Sequence, residues 1–147
     1  MANFSIYLNF QRQTEEAFTF YKSIFGGEFS GGGIARFGDL PHFDGNSQFK
    51  EGDKNLIMHI ELQILGGLTL MGSDTTETTG LNLVTGNNIH INLEPDTRLE
   101  TDELFNKLAT GGKVTMELTE MFWGSYYGTC TDKFGIQWMF NCKEKIS

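Results

Sequence analysis

The feature that most limits how this chain can fold is that its two halves carry the same punctuation. Ser5 and Gly26 lie 21 residues apart, and so do His90 and Gly111. Each interval runs from an alternating apolar stretch through a helical pattern to a Gly-Gly pair. A further match sets Gly67-Leu-Thr-Leu-Met71 against Gly135-Ile-Gln-Trp-Met139. One supersecondary unit used twice predicts two βαβββ modules, about residues 1–73 and 88–147, joined by a Thr-rich connector over 74–87. The length, 147 residues, suits one compact domain made of two such modules, and thirteen Phe, four Tyr and two Trp supply the ring surface for a core.

Within the first module, Phe4 to Phe10 alternates as a half-buried strand with Phe4, Ile6, Leu8 and Phe10 on one face. Ala17, Phe18, Tyr21, Ile24 and Phe25 fall at helical spacing, with Thr14 as the expected cap, Glu15 and Glu16 in the first turn and Gly26-Gly27 as the stop. Glu28 to Phe37 is expected as a glycine-interrupted strand. Gly38 to Asn55 reads as a long loop, with Phe43 and Phe49 favouring a lid and His42 on its surface. Leu56 to Leu65 and Leu68 to Ser73 form a hairpin around Gly66-Gly67. In the second module, Ile89 to Leu93 is a strand, and Thr97-x-x-Glu100 is a capping-box pattern. Leu104, Phe105, Leu108 and Ala109 give the helical face, ended by Gly111-Gly112. Strands are expected near Lys113 to Leu118, Tyr126 to Thr131 and Ile136 to Cys142.

Eleven Lys and Arg against nineteen Asp and Glu give a formal charge of −8, and the basic residues are scattered. Nonspecific binding to nucleic acid or to anionic lipid is therefore disfavoured. The longest apolar runs, about five residues, fall far short of the ~20 that span a bilayer. Met1 to Phe10 lacks a basic start and an apolar signal core, so the expected compartment is the cytoplasm. Cys130 and Cys142 are too few and too far apart in sequence for a disulfide framework or a Cys-x-x-Cys metal site, and reduced thiols are expected.

The chain resembles the vicinal oxygen chelate superfamily of glyoxalase I and the bleomycin-resistance proteins, in its PhnB-like branch. The resemblance rests on Tyr7-Leu8-Asn9-Phe10, Glu16-Ala17-Phe18 with Phe20-Tyr21-Lys22 to Phe25-Gly26-Gly27, and Met58-His59 with Glu61-Leu62. The late block adds Gly111-Gly112-Lys113-Val114-Thr115-Met116, Phe122-Trp123-Gly124 and Thr131-Asp132-Lys133-Phe134-Gly135-Ile136-Gln137-Trp138. It implies an α+β fold whose two βαβββ modules form an incomplete eight-stranded barrel around a small-molecule or metal site, in a homodimer. The metal-ligand positions of such enzymes fall here on Ser5, Met71, His90 and Met139. Only His90 keeps a ligand type, because a thioether is a poor partner for Zn²⁺, Ni²⁺ or Mn²⁺. The expectation is therefore a small-molecule-binding protein without the usual metal and with no cofactor; a divalent-metal-dependent lyase or dioxygenase of the same superfamily is the alternative. Proteins of this branch have also been labelled demethylubiquinone methyltransferases, but no nucleotide-type glycine fingerprint opens a helix here.

Alternation gives a candidate pocket independently of the resemblance. If the faces carrying Phe4, Met58, Ile91 and Trp138 pack on the helices, the opposite faces carry Ser5, Tyr7 and Asn9; His59, Glu61 and Gln63; Thr69, Met71 and Ser73; His90 and Asn92; and Gln137, Met139 and Asn141. Trp123 and Tyr127, from an aromatic cluster beside Phe122, join them as a ring wall or as core. His59-x-Glu61 sets an imidazole and a carboxylate on one face, about 7 Å apart along the strand. Three readings are open: a hydrogen-bonded structural pair, an acid/base couple, and a metal triad completed by His90.

Overall fold

A computed structural model describes residues 1–40, 50–77 and 81–146. His42, Phe43 and Phe49, with the expected lid, lie outside the described residues. The chain divides into two compact units, Met1–Val84 and Thr85–Ser147.

The first unit contains β1 (Ile6–Gln11), α1 (Thr14–Phe25), β2 (Ala35–Arg36), β3 (Ile57–Gln63) and β4 (Thr69–Thr75). Its sheet has the order β1-β4-β3-β2, with β1 parallel to β4 and the other pairs antiparallel. Leu8, Gly72 and Ile60 stand side by side across the three long strands. On the face they share, α1 buries Ala17, Phe18 and Tyr21 completely. A Cβ on Gly72 would stand 2.5 Å from Phe18 Cε1, so the absent side chain is what lets the helix lie this close. Gly26, at φ 78°, ends α1 and donates its N–H to the carbonyl of Lys22 at 2.8 Å.

Four local expectations are corrected. Phe4 precedes the strand and is 81% exposed, so the buried face of β1 begins after it. Thr14 is not the helix cap: Gln13 holds that position without a side-chain bond, and the Thr14 N–H is taken by Asp74 Oδ1 at 3.0 Å. Met58 is half-buried, whereas Ile57 is fully buried. The cause is a bulge, since consecutive Ala35 and Arg36 face His59 and Ile57 and leave Met58 without a partner. The strand expected over Glu28 to Phe37 shrinks to Ala35–Arg36 and an isolated bridge between Phe29 and Leu62. Three successive glycines, Gly31, Gly32 and Gly33, at φ 66°, 90° and 86°, curl the chain out of the ladder between them. At the other end β4 continues through Asp74 and Thr75, both buried. Asp74 Oδ2 accepts the Ile57 N–H at 2.7 Å, so this one carboxylate ties the start of α1 to the start of β3.

The second unit repeats the order with β5 (Ile91–Leu93), α2 (Arg98–Ala109), β6 (Lys113–Glu120), β7 (Tyr126–Thr131) and β8 (Gln137–Cys142), arranged β5-β8-β7-β6. Thr97 caps the helix as one half of the expected capping box: its Oγ1 accepts the Glu100 N–H at 3.1 Å. Leu104, Phe105 and Leu108 are buried, and Phe105 meets Phe140 edge to face at 5.8 Å. Asp132 is the internal brace. Its Oδ1 accepts the N–H groups of Phe134 and Ile136, and its Oδ2 accepts the indole N–H of Trp138 at 2.9 Å. β6 is the edge of this sheet and is exposed along nearly all its length. The α+β arrangement of two four-stranded mixed sheets, each with one helix, is the βαβββ architecture expected from the repeat.

Candidate functional site

In the first unit, burial of Leu8, Ile60, Leu62 and Leu70 against α1 forces their neighbours in sequence to the other face. That face carries Tyr7 and Asn9 from β1, His59, Glu61 and Gln63 from β3, and Thr69, Met71 and Ser73 from β4. Tyr7 and Glu61 both lie opposite Met71, one on each side of β4. His59, Glu61, Met71 and Ser73 are half-buried, whereas Tyr7, Asn9 and Gln63 are exposed.

Three of these side chains are joined. His59 Nε2 lies 2.9 Å from Glu61 Oε1, and His59 Nδ1 lies 3.3 Å from the Tyr7 hydroxyl. A carboxylate only accepts, so in the neutral imidazole the proton sits on Nε2, and Nδ1 is left to accept from the Tyr7 O–H. The rings of Tyr7 and His59 lie 5.8 Å apart. Side-chain exposure is 32% at His59 and 21% at Glu61, while Tyr7 is 46% exposed, so the chain of bonds runs from sheltered carboxylate to open phenol.

The loop after α1 supplies what the sequence reading missed. The Ser30 N–H donates to the Glu61 carbonyl at 3.0 Å, and Ser30 Oγ to Glu61 Oε2 at 3.4 Å. A Cβ on Gly31 would stand 2.7 Å from the Glu61 carboxyl carbon. The glycine run was the available signal: a backbone lacking Cβ atoms marks a place of close approach.

The second unit places its candidates differently. Asn92, Gln137, Met139, Asn141 and Tyr127 lie on the face opposite α2, with Asn92 and Met139 paired in register and Tyr127 opposite Asn141. His90 precedes β5 and is half-buried. Gln137 Nε2 donates to the Ile89 carbonyl at 2.8 Å, which fixes the amide near that strand's start. Trp123 meets Tyr127 edge to face at 6.0 Å and Phe122 at 4.9 Å. Phe122 is 97% exposed, so the cluster is a surface feature of this unit rather than core. Behind the sheet, burial, with Asp132 adding to it, pushes the Cys130 thiol from 9.0 up to about 12. The hydrogen bond from Tyr126 to Asp102, at 2.6 Å, together with burial, raises the Tyr126 phenol to about 12.

The superfamily's metal positions do not fit a divalent ion. Ser5 Oγ donates to Met71 Sδ at 3.4 Å, so a hydroxyl and a thioether face one another in the first unit. Neither is a ligand that a borderline or hard divalent cation prefers. Among the described residues, no group of three or more His, Cys, Asp and Glu could hold a metal.

Comparisons with known proteins place this geometry. A solved structure of PA1353 from Pseudomonas aeruginosa is 34% identical with a TM-score of 0.81, over 97% of this chain and 98% of that one. A protein from Bacillus cereus described as a putative 3-demethylubiquinone-9 3-methyltransferase, PhnB protein, is 25% identical with a TM-score of 0.75, over 96% and 99%. At the level of the fold alone, a glyoxalase/bleomycin resistance protein/dioxygenase family enzyme from Burkholderia phytofirmans matches with a TM-score of 0.59 at 15% identity, over 94% and 97%. The profile of the family described as 3-demethylubiquinone-9 3-methyltransferase matches residues 2–140. The chain therefore belongs to that PhnB-like family, and its fold is that of the glyoxalase/bleomycin-resistance proteins.

Proposed function

We propose that the protein binds a small, partly polar organic molecule against the polar face of the first unit's sheet, without a metal, and that His59 and Glu61 serve there as an acid/base pair. The observation that carries this reading is the joined Tyr7, His59 and Glu61 on a sheet face whose other side is sealed by α1. A face that was merely solvated would carry more lysine and arginine than Tyr7, Asn9, His59, Glu61, Gln63, Thr69, Met71 and Ser73 do. In such a pair the proton of the bound molecule passes to the Tyr7 oxygen as the Tyr7 hydroxyl gives its own to His59 Nδ1, and the carboxylate stabilises the imidazolium that results.

The family description names a methyltransferase. A methyl-donor nucleotide is held by a glycine-rich strand-to-helix turn. The junction from β1 to α1 is Arg12-Gln13 and that from β5 to α2 is Glu94-Pro95-Asp96-Thr97, with no glycine in either, so the local chemistry does not support that activity here.

The test is elemental analysis of the purified protein followed by a ligand-displacement screen by thermal shift, with and without a chelator. The expected result is stabilisation by a subset of neutral organic molecules, unchanged by chelator and weakened in His59→Ala. Near-stoichiometric Ni, Zn, Mn or Fe would replace this reading with the metal-dependent lyase or dioxygenase. Among the described residues no helix is long and apolar enough to cross a membrane, and two buried free thiols suit the reducing cytoplasm. Pairing into a homodimer is the further part of the proposal, supported by the exposed β6 edge and by the exposed Phe122 and Trp123. Light scattering should return twice the 16.5 kDa of one chain, and a concentration-independent single-chain mass would remove the dimer.

A further inference from the structure

We infer that Tyr7 is the group that meets the ligand, as a hydrogen-bond acceptor held in that role by His59 and Glu61, and that the ligand is a neutral or cationic organic molecule offering an O–H or N–H, not a carboxylate or phosphonate anion. This rests on the ligand site proposed above and adds its contact atom and its chemical class.

The direction of the hydrogen bonds assigns the contact. Glu61, supported by Ser30, fixes the proton on His59 Nε2. Nδ1 then takes the Tyr7 proton, at 3.3 Å, so the phenolic oxygen spends its only donor inward and keeps its lone pairs outward. Tyr7 is also the most exposed of the three, which makes it the end of the chain that an incoming molecule reaches. His59 and Glu61 act through it and are positioning residues. A partner for an oxygen in this state is a donor.

The charges assign the class. Among the described residues, the strand positions of this face hold one carboxylate, Glu61, and no Lys or Arg. Most cations of the described first unit are engaged elsewhere: Arg12 with Asp53 and Glu77, Lys22 with Glu28, Arg36 with Glu15, and Lys54 with Glu51. An anion placed at Tyr7 would meet a lone pair and a carboxylate, with no guanidinium or ammonium of this unit bonded to the Tyr7, His59 and Glu61 group among the described residues.

The experiment uses the full chain, ¹⁵N-labelled, and four probes on one aromatic frame: phenol, benzylammonium, benzoate and phenylphosphonate. The readouts are the His59 ring nitrogens and the backbone amides of Tyr7 and Glu61. Phenol and benzylammonium should shift these signals, with benzoate and phenylphosphonate about ten-fold weaker. Tyr7→Phe, which alters an exposed hydroxyl and leaves the fold's spectrum intact, should weaken phenol about ten-fold. Glu61→Gln, which keeps an acceptor for Nε2 but removes the charge, should bring benzoate toward phenol. Benzoate or phenylphosphonate binding as tightly as phenol to this face would overturn the ligand class and leave the proposed site standing. Unchanged phenol binding in Tyr7→Phe would overturn the contact. Silence of the whole face toward all four probes would remove the proposed site and this inference together.

Discussion

The two units build the same sheet from opposite choices in the same layer. In the first, Leu8, Gly72 and Ile60 form the row beneath α1; in the second, Leu93, Phe140 and Gly128 form the corresponding row beneath α2. The small residue has moved from the inner strand of the parallel pair to that strand's antiparallel neighbour, and the helix ring responds. Phe18 sits down on Gly72, whereas Phe105 stands edge-on to Phe140. On the other face the divergence concerns chemistry: Tyr7, His59 and Glu61 correspond to Asn92, Tyr127 and Thr129, by the same registers. The buried face needs only conserved volume, so it keeps the architecture while its residues trade places. The open face is free of that demand and carries the difference between a charged, joined set and a row of amides, a phenol and a hydroxyl.

If volume is traded within the layer in this way, truncating the large member must leave a hole that its small neighbour in the row cannot fill. Phe140→Ala should destabilise the protein by about 3–5 kcal/mol in urea unfolding. Filling the small member should cost less, about 1–3 kcal/mol for Gly72→Ala, because the new Cβ meets Phe18 Cε1 at 2.5 Å and the Leu8 carbonyl at 3.1 Å, and a fully buried Phe18 has nowhere to swing. A neutral Gly72→Ala would break the comparison by showing that α1 is free to lift.

How much of this was legible in the sequence follows from which forces act locally. The repeat, both helices and the hairpin at Gly66-Gly67 are written in periodicity and glycine spacing, and the structure repeats them. Contacts distant in sequence were not. Asp74 looked like the start of a Thr-rich connector, yet it accepts from the N–H groups of Thr14 and Ile57, and nothing near residue 74 announces either partner. Asp132 was readable as part of a block, because three of its partners lie within six residues. At the candidate site, the facing of His59 and Glu61 came from alternation alone. The role of Tyr7 as the third member needed the register that lays β1 and β3 on either side of β4. Met58 departs from the alternation because a bulge is set by pairing with β2, and β2 is only two residues long.

The cysteines divide the units as well, since both lie in the second. The folded Cys130 thiol titrates at about 12 and its ordinary value is 9.0, so the folded state holds this proton more tightly than the unfolded chain. The contribution of this thiol to stability is therefore complete below pH 9.0 and is lost as pH rises toward 12, by up to about 1.4 kcal/mol per pH unit for a fully buried thiol. Tyr126, raised from 10.0 to about 12, adds to the loss in the upper part of that window. Urea midpoints at about pH 8 and about pH 10 should fall more in the wild type than in Cys130→Ala. Equal falls would place the alkaline sensitivity outside the second unit's core.

The smallest effect separates the two open faces most directly, because each unit carries one described histidine among its candidates. The His59 ring is held on one side by Glu61 at 2.9 Å and on the other by Tyr7 at 3.3 Å, whereas among the described residues the ring of His90 has no such anchor. At a pH where both imidazoles are neutral, the ¹⁵N shifts of the ring nitrogens should show His59 as the Nε2–H tautomer alone and His90 as a mixture of the two. Glu61→Leu should move His59 toward the His90 pattern. The cost to stability should stay below about 1 kcal/mol, since the pair is partly exposed and the net worth of such a bond in water is small. Tyr7→Phe should shift Nδ1 without mixing the tautomers, because the proton on Nε2 answers to the carboxylate and not to the phenol. Two histidines with the same tautomer mixture in the wild type would mean that Glu61 does not order the ring, and the first unit's open face would then be no more organised than the second's.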